Sequence, residues 1–379
     1  MKRAHWFLLL VLTIALLAGA AACANSSRSG SSRSPIDDDN DSSPDDDDND
    51  DTSPDDDDDQ SPDDDASPAD DDDDDDNDDS ALSFTTMTSG STVPLTGVWG
   101  SSATDVYAIG GDIRDQYGAI LHYDGSAWTT LTTPEPTASF FGIWGSSATD
   151  VFAVGEDWST GIEVVLHYDG TAWSMILTTT STTHLNAVWG SAPTDVFVAG
   201  DEGLILHYDG SSWSTMDSGV TDSASLYGVW GSSASNVYAV GQFGTMLRYD
   251  GSAWSAVASG ATGDLHGLWG DSASDVYAVG WALDNSAVVL RYDGSTWTPM
   301  NTYTTGDVAA VWGTGSTDIF AAGTFYDQVG SPIGGMLMHY GGVIWAEANT
   351  IGNDLYGVWG SSASDVFFVG DSGTILHHP

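Results

Sequence analysis

The segment "VWGSSATDVYAIG" (Val98 to Gly110) joins a Trp-Gly pair, a polar turn and a short run of β-forming residues. The pattern returns along the chain, last as "VWGSSASDVFFVG" (Val358 to Gly370). Its Trp-Gly pairs begin at Trp99, Trp144, Trp189, Trp230, Trp269, Trp312 and Trp359, at intervals of 45, 45, 41, 39, 43 and 47 residues. Intervals of this length are typical of propeller blades built from four strands.

Each repeat predicts four antiparallel strands, here called A to D in chain order. Runs rich in Val, Ile, Tyr, Phe, Trp and Thr are separated by Gly, Ser and Asp, and they lack a sustained helical period. Asp-Gly pairs between strands C and D, as in "ILHYDG" (Ile120 to Gly125), predict type I′ hairpin turns, because both central residues of that turn need positive φ. A single sheet of this size cannot bury both of its faces. The repeats therefore predict an all-β, seven-bladed propeller.

The seventh repeat ends with "DSGTILHHP" (Asp371 to Pro379), which corresponds to strand C and is not followed by a strand D. The segment "SALSFTTMTSG" (Ser80 to Gly90) precedes the first Trp-Gly pair and resembles the strand D segment "SSWSTMDSG" (Ser211 to Gly219). An unclosed ring would expose a sheet edge and two apolar faces. We therefore expect Phe84 to Thr88 to pair with Thr374 to His378 and to close the ring.

Residues 1–22 have the features of an export signal. Two basic residues precede the apolar run "WFLLLVLTIALL" (Trp6 to Leu17), which is short for a membrane span. Cys23 is the only cysteine, and its position after "AGAAA" resembles the lipobox of bacterial lipoproteins. We expect acyl chains on Cys23 to anchor the protein. Ordinary cleavage at the A-x-A site Ala20 to Ala22 is the alternative.

Residues 23–80 form a linker of Ser, Pro and Asp, with 27 Asp between positions 37 and 79. So few apolar residues cannot offset the entropy cost of ordering, and we expect a disordered, extended spacer ahead of a globular head of residues 81–379. No stretch of it combines the Gly at position 6 and the Glu at position 12 of an EF-hand loop. We therefore expect no cofactor and no metal site, beyond weak Ca²⁺ binding.

The head is also acidic. Of the 56 acidic residues, 29 lie beyond residue 80, where the only basic residues other than His are Arg114, Arg248 and Arg291. Binding of nucleic acid or anionic lipid requires clustered Lys or Arg, so both are excluded as partners of the head. Contact with a membrane is expected only through the lipid anchor.

The repeats, in which "AVG" is followed after a loop by segments such as "ILHYDGSSW" (Ile205 to Trp213), resemble BNR-like (Asp-box-like) bacterial propellers and Ycf48-like photosystem assembly factors. The resemblance covers residues 81–379 and implies the propeller fold. It implies no photosynthetic role, because the Arg-rich partner surface of the Ycf48-like proteins has no counterpart in a head with three Arg. The signal, the Asp-rich linker and the "VWGSSxxDV" repeats together resemble cell-envelope lipoproteins of Gram-negative bacteria. That resemblance implies an outer-membrane or cell-surface location, with periplasmic and outward orientations both open.

A residue that recurs in every blade is expected to hold the blade together rather than to perform one reaction. One strand C position is occupied by His122, His167, His207, His339, His377 and, in two blades, Arg248 and Arg291. Arg does not replace a metal-ligating His, so we expect a cationic donor to the turn Asp of the repeat, which is Asp105, Asp150, Asp195, Asp275, Asp318 or Asp365. The Trp residues of the Trp-Gly pairs are expected to pack between blades.

Function is expected where the repeats differ. Because strand direction alternates, the B to C and D to A loops share one face, and these loops vary in length and chemistry. The candidate ligand face consists of Asp112, Arg114, Asp115, Tyr117, Glu156, Asp157, Trp158, Asp201, Glu202, Phe243, Trp281, Asp284, Tyr326 and Asp327. A candidate channel rim, shortly before each Val-Trp or its equivalent, consists of Thr96, Phe141, Asn186, Tyr227, His266, Ala309 and Tyr356.

Aromatic side chains together with carboxylates and amides suit the binding of a protein, peptide or glycan. We expect a monomeric binding module and no enzyme, because the sequence contains no Ser/His/Asp grouping, phosphate loop or clustered His ligands. The first alternative is a glycan-active hydrolase or lyase, which needs two carboxyl groups about 5 to 10 Å apart at the channel mouth. The second is that the variable loop residues share no ligand.

Overall fold

The computed structural model describes residues 82–112, 117–179 and 183–379. They form seven four-stranded antiparallel sheets, so the seven-bladed propeller is confirmed. Within this part of the chain, no helix has the length and apolar character that crossing a membrane requires. Cys23, the signal and the linker lie outside the described residues, as do Arg114 and Asp115 of the candidate ligand face.

The blades share one order, with strands A to D hydrogen-bonded in sequence. Blades 1 and 2 contain β2 (Leu95–Ser102), β3 (Asp105–Asp112), β4 (Tyr117–Tyr123) and β5 (Trp128–Thr130), then β6 (Ala138–Ser147), β7 (Asp150–Asp157), β8 (Ile162–Tyr168) and β9 (Trp173–Thr179). Blades 3 and 4 contain β10 (Leu185–Ala192), β11 (Asp195–Gly200), β12 (Ile205–Tyr208) and β13 (Trp213–Met216), then β14 (Leu226–Ser233), β15 (Asn236–Gly241), β16 (Met246–Tyr249) and β17 (Trp254–Ala256).

Blades 5 and 6 contain β18 (Leu265–Ser272), β19 (Asp275–Trp281), β20 (Ala287–Tyr292) and β21 (Trp297–Met300), then β22 (Gly306–Gly315), β23 (Asp318–Tyr326), β24 (Pro332–Tyr340) and β25 (Trp345–Ile351). Blade 7 contains β26 (Leu355–Ser362), β27 (Asp365–Gly370), β28 (Ile375–His378) and, as its strand D, β1 (Thr85–Thr86). The A strands of neighbouring blades contact one another, so they form the inner layer of the ring.

The N-terminal strand closes the ring as the sequence predicts. In β1, Thr85 lies opposite His377, and the Met87 N–H donates to the Ile375 carbonyl at 2.9 Å. The ring of Phe84 packs edge-on against Phe368, with centroids 5.7 Å apart. The outer edge of the last blade is therefore covered by a segment from the other end of the chain.

Contacts between Trp and Gly repeat at the blade interfaces. The indole of Trp99 packs on Gly145 of the next blade so closely that a Cβ added at Gly145 would lie 2.5 Å from Cη2. The same contact joins Trp144 to Gly190, Trp189 to Gly231, Trp230 to Gly270, Trp269 to Gly313, Trp312 to Gly360 and Trp359 to Gly100. Each Gly is thus required by the Trp of the preceding blade, which confirms the interblade role expected for these tryptophans.

The apolar core is divided among the blade interfaces. Seven clusters of buried residues each combine two adjacent blades, including the pair formed by the last and first. In the closing cluster, Phe367 and Val369 of blade 7 pack against Leu95 and Val106 of blade 1. Burial of this apolar surface depends on the neighbouring blade, so a blade on its own has no complete core.

The recurrent His position has the structural role predicted for it. His Nε2 lies 2.6 to 2.7 Å from the Oδ1 of the turn Asp in five blades, and Arg291 Nε lies 2.7 Å from Asp275 Oδ1. In blade 4, Arg248 Nε donates instead to Asn236 Oδ1 at 2.7 Å. The His or Arg side chain therefore links strand C to the A–B turn. In blade 4, Asn236 provides an acceptor oxygen without the negative charge that Asp has in the other blades.

The turn assignment at the Asp-Gly pairs was wrong. Gly210 has φ of 88°, but Asp209 does not have positive φ, so its turn is not type I′. Instead the Asp209 carboxylate accepts the N–H groups of Ser211 and Ser212, and the Ser211 hydroxyl hydrogen bond lowers the pKa of Asp209 to about 2. A side chain that caps its own turn leaves only the Gly in the left-handed region.

Turns with two successive positive φ values occur on the opposite face. They join strands B and C in blades 3, 4 and 7, as the 3₁₀ turns Asp201–Gly203, Gln242–Gly244 and Asp371–Gly373. Their central pairs, such as Phe243 (φ 58°) and Gly244 (φ 70°), match the type I′ geometry.

Candidate functional site

The variable face lies where strands B and D end, and the described members of the candidate ligand face are all located there. They differ in exposure. Tyr117, Glu202, Phe243 and Asp284 are exposed; Asp112, Trp158, Asp201, Tyr326 and Asp327 are half-buried; and Glu156, Asp157 and Trp281 are buried. Direct contact with a ligand therefore suits only part of the set.

Several carboxylates of this set hold their own loops. Asp157 accepts hydrogen bonds from the Ser159 and Thr160 hydroxyls at 2.7 and 2.9 Å, and Asp327 accepts the Ser331 N–H at 2.8 Å. Asp284 similarly accepts the Ser286 hydroxyl at 2.6 Å. These acids order the B–C loops and thereby fix the positions of their neighbours.

The predicted channel rim is a belt of contacts between blades. Thr96 Oγ1 donates to the Phe140 carbonyl of the next blade at 2.6 Å, and Asn186 Nδ2 donates to the Leu226 carbonyl at 3.0 Å. Between blades 4 and 5, the rings of Tyr227 and His266 stack with centroids 5.3 Å apart. Rim side chains therefore link neighbouring inner strands.

Three aspartates stand in consecutive blades beside this rim. Asp264, Asp307 and Asp354 each come directly before the first apolar residue of strand A in blades 5, 6 and 7. Asp264 and Asp307 are each 8 % exposed, and Asp354 is half-buried. Burial raises the pKa of Asp264 and of Asp354 above the ordinary value for an aspartate. We call these three residues the acidic arc; their shared repeat position was the sequence signal that could have identified them.

An imidazole, a backbone N–H and two phenols lie near the acidic arc. His266 Nε2 lies 3.2 Å from Asp307 Oδ1, and the Phe243 N–H donates to Asp264 Oδ1 at 2.9 Å. Burial, followed by the nearby carboxylates, raises the pKa of Tyr326 and of Tyr356. The variable face over blades 5 to 7 therefore brings the three carboxyl groups of the acidic arc together with the protonated phenols of Tyr326 and Tyr356.

Exposed apolar side chains lie on the same face as the arc. Four are in B–C or D–A loops, namely Phe243 (67 % exposed), Leu283 (65 %), Tyr303 (83 %) and Val329 (81 %), and the fifth, Ile333 (64 %), is at the start of strand β24. We call these five residues the apolar tips. Phe243 and Tyr303 have φ of 58° and 54°, a region that costs a residue with a Cβ roughly 1 to 2 kcal/mol.

The loops that carry the apolar tips are joined to one another. The Gly306 N–H donates to the Asn285 carbonyl at 2.8 Å, and Thr305 Oγ1 donates to the Tyr326 carbonyl at 2.7 Å. Asn285 also lies against Gly330, where an added Cβ would be 3.1 Å from its Nδ2. Loops of blades 5 and 6 thus support each other, which pre-orders this part of the face.

A separate cluster joins blades 2 and 3. Glu156 and Glu163 are directly opposite each other on β7 and β8, and His184 reaches them from the connection that precedes β10. His184 Nδ1 lies 2.7 Å from Glu156 Oε2 and 3.4 Å from Glu163 Oε1. The two carboxylates raise the pKa of His184 to about 10, Glu156 most strongly, whereas burial raises the pKa of Glu163.

Glu163 and His184 were absent from the sequence-based candidates, and their proximity depends on cross-strand pairing that one repeat does not reveal. The Glu163 side chain is 1 % exposed, so this carboxylate cannot reach a substrate in solution. The cluster therefore does not supply the two accessible carboxyl groups that a glycoside hydrolase requires.

Comparison with known proteins gives the fold. No family model matches the chain, and no curated protein matches it. Among solved structures, a YCF48 bound to a D1 peptide is similar over 79 % of this chain and 96 % of its own, with a TM-score of 0.59 and 13 % identity. YCF48 from Cyanidioschyzon merolae is similar over 78 % of this chain and 98 % of its own, with a TM-score of 0.59 and 15 % identity. The WD40 propeller domain of Doa1 is similar over 78 % of this chain and 96 % of its own, with a TM-score of 0.58 and 11 % identity. At these identities the similarity shows the propeller fold alone.

Proposed function

We propose that the head is a binding module for a protein segment that carries both apolar and cationic side chains. The observation that supports this proposal is that the apolar tips of blades 4 to 6 and the acidic arc of blades 5 to 7 lie on one face, where the Phe243 N–H donates to Asp264 Oδ1. An exposed apolar surface next to charged groups is the usual composition of a protein-recognition surface.

Charge complementarity defines the partner. Asp264, Asp307 and Asp354 present carboxylates in consecutive blades, while both described Arg residues lie in the strand C position. A Lys or Arg of the partner would pair with Asp354, the half-buried member of the acidic arc, and the buried Asp264 and Asp307 would add to the attraction through their charge. The apolar neighbours of that Lys or Arg would cover Phe243 and Leu283. The structure of a YCF48 bound to a peptide supports the choice of a peptide, as a precedent on the same fold.

The test uses the full chain and an array of peptides in three classes: apolar with cationic, apolar with anionic, and polar uncharged. We expect retention of the first class only, with affinity that weakens as salt is raised. Glycans printed on the same array, with and without Ca²⁺, form the second arm. Binding of glycans alone, or equal binding of the three peptide classes, would reject this proposal.

A matched pair of variants locates the surface. Phe243→Ser combined with Leu283→Ser removes two apolar tips, and we expect at least a tenfold loss of peptide affinity. Val343→Ser combined with Ile344→Ser removes two exposed apolar side chains, 86 % and 63 % exposed, from a C–D turn on the opposite face. Equal losses in the two double variants would contradict the assignment of the binding face.

We also propose that Cys23 is lipidated and that the Asp-rich linker holds the head away from the membrane of the cell envelope. The support is the sequence alone: the apolar signal, the small residues before Cys23 and the like charges of the linker. Mass spectrometry of the mature N-terminus tests it, with an acylated Cys23 expected. An unmodified residue at that terminus would contradict the anchor and leave the binding proposal untouched.

A further inference from the structure

We propose that Glu156, Glu163 and His184 form a binding site for a first-row divalent transition metal, with Zn²⁺ as its test ion, that joins blade 2 to blade 3. The three potential ligand atoms, one oxygen from each Glu and His184 Nδ1, lie within 4.8 Å of one another. Two carboxylates and one imidazole suit Zn²⁺ or Mn²⁺, and three protein ligands leave one position open.

Glu156 and His184 are in direct contact inside the cluster. Glu156 Oε2 and His184 Nδ1 are both buried and form a 2.7 Å ion pair, but neither atom makes a well-directed hydrogen bond to any described group. Glu156 as a whole is 6 % exposed. A buried polar atom without a well-directed hydrogen bond is a place where an ion can complete the coordination.

The distances fit a small cation after a slight adjustment. Tetrahedral Zn²⁺ with ligand bonds of about 2.0 to 2.2 Å separates its ligand atoms by roughly 3.3 to 3.5 Å. The separation between His184 Nδ1 and Glu163 Oε1 is 3.4 Å, which already agrees. The 2.7 Å separation to Glu156 would have to open by about 0.6 to 0.8 Å, a change within reach of a Glu side chain.

The surroundings orient each potential ligand. The Leu185 N–H donates to Glu163 Oε2 at 3.1 Å, which directs Oε1 toward His184. On the other side of the imidazole, Asp201 Oδ2 lies 4.0 Å from Nε2, and Asn186 Nδ2 holds the same carboxylate through Oδ1 at 2.9 Å. A separation of 4.0 Å is longer than a hydrogen bond, so Asp201 places negative charge behind the imidazole without a hydrogen bond to it.

The test measures metal binding by the full chain, purified free of metal, with calorimetry and with the visible absorption of Co²⁺. We expect the Asp-rich linker to bind cations diffusely in every variant, so only differences between variants are informative. We expect one specific site for Zn²⁺, a Co²⁺ spectrum typical of mixed nitrogen and oxygen ligands, and at least a tenfold loss of affinity for Glu163→Gln and His184→Gln.

His207→Gln is the matched control, because His207 also lies 2.7 Å from a carboxylate, and Asp195 is the one carboxylate that pairs with it among the described residues. It should keep the specific site. If Glu163→Gln fails to fold, Asp201→Asn provides the second variant, with an expected loss of about tenfold. Equal metal binding by all variants, or diffuse binding only, would overturn the proposal and identify the cluster as an ion pair without a metal.

Discussion

The indole of Trp359 in the last blade packs against Gly100 in the first, where an added Cβ would lie 2.6 Å from Cη2 and 2.8 Å from the Asp105 carbonyl oxygen. This contact joins the two ends of the ring through the same pair that joins every other interface. It therefore extends the sevenfold repetition across the point where the chain is discontinuous, and it provides a direct test of closure.

Gly100→Ala is expected to destabilise the head by about 1 to 3 kcal/mol, because neither the indole nor the backbone carbonyl can yield without disturbing an interface. Thermal unfolding measures the effect. Gly315→Ala is the matched control, since an added Cβ there meets no atom within 4 Å. Equal melting temperatures for the two variants would show that the Trp-Gly contact is not required.

Removal of residues 82–88 deletes β1 and exposes the outer edge of β28, and we expect the melting temperature to fall by many degrees. The point variant Phe84→Ala removes the contact with Phe368 and leaves the strand backbone, so a smaller decrease is expected. Differential scanning calorimetry of both variants decides the point. An unchanged melting temperature after the deletion would mean that the ring is stable without its closing strand.

His207→Arg is expected to be tolerated, because Arg291 makes the equivalent 2.7 Å contact to Asp275 in blade 5. His207→Ala leaves Asp195 without its imidazole partner and should cost about 1 to 2 kcal/mol, as both groups are partly exposed to water. Chemical denaturation of the two variants makes the comparison. A larger loss for His207→Arg than for His207→Ala would contradict the structural role of the position.

Asp354→Asn tests whether the acidic arc is retained at a cost to stability. Burial raises the pKa of Asp354 in the folded head, so folding disfavours its charged form; this penalty is present above the raised pKa and absent below the ordinary value of 3.8. The variant should therefore melt about 2 °C higher than the natural sequence at pH 7, with the difference vanishing as the pH falls toward 3.8.

The same variant should bind a cationic peptide more weakly, which is the functional half of the prediction. Melting curves between pH 3.5 and 8 and peptide titrations at pH 7 give both readouts. A variant that is less stable at pH 7 would mean that Asp354 is held by compensating interactions and is not a strained functional group.

Phe243→Gly tests whether the Phe243 side chain serves peptide binding or the stability of the head. Gly adopts the left-handed conformation without the Cβ penalty, so the melting temperature should stay level or rise by about 2 °C, while the N–H bond to Asp264 is retained. Peptide affinity should fall about tenfold, because an exposed aromatic anchor is lost. A marked loss of stability would show that Phe243 serves the fold.

The sequence by itself determined the architecture, because features that recur in every repeat report interactions made once in every blade. The Trp-Gly pairs, the His position and the missing seventh strand D were each sufficient to predict the contact later found. The type I′ assignment at Asp-Gly failed because Asp209 caps its own turn, an interaction that a dipeptide pattern does not distinguish from a left-handed pair.

Only the tertiary structure decided which variable residues come together. Glu156 and Glu163 are opposite each other through strand pairing, and His184 contacts them across a blade interface. The distances between these three residues along the sequence therefore do not indicate that they meet. The acidic arc likewise spans three blades, and its three Asp residues form one charged region only because the ring places those blades side by side. A contact made at only one blade interface leaves no repeated pattern in the sequence, because it arises from residues that only the folded chain brings together.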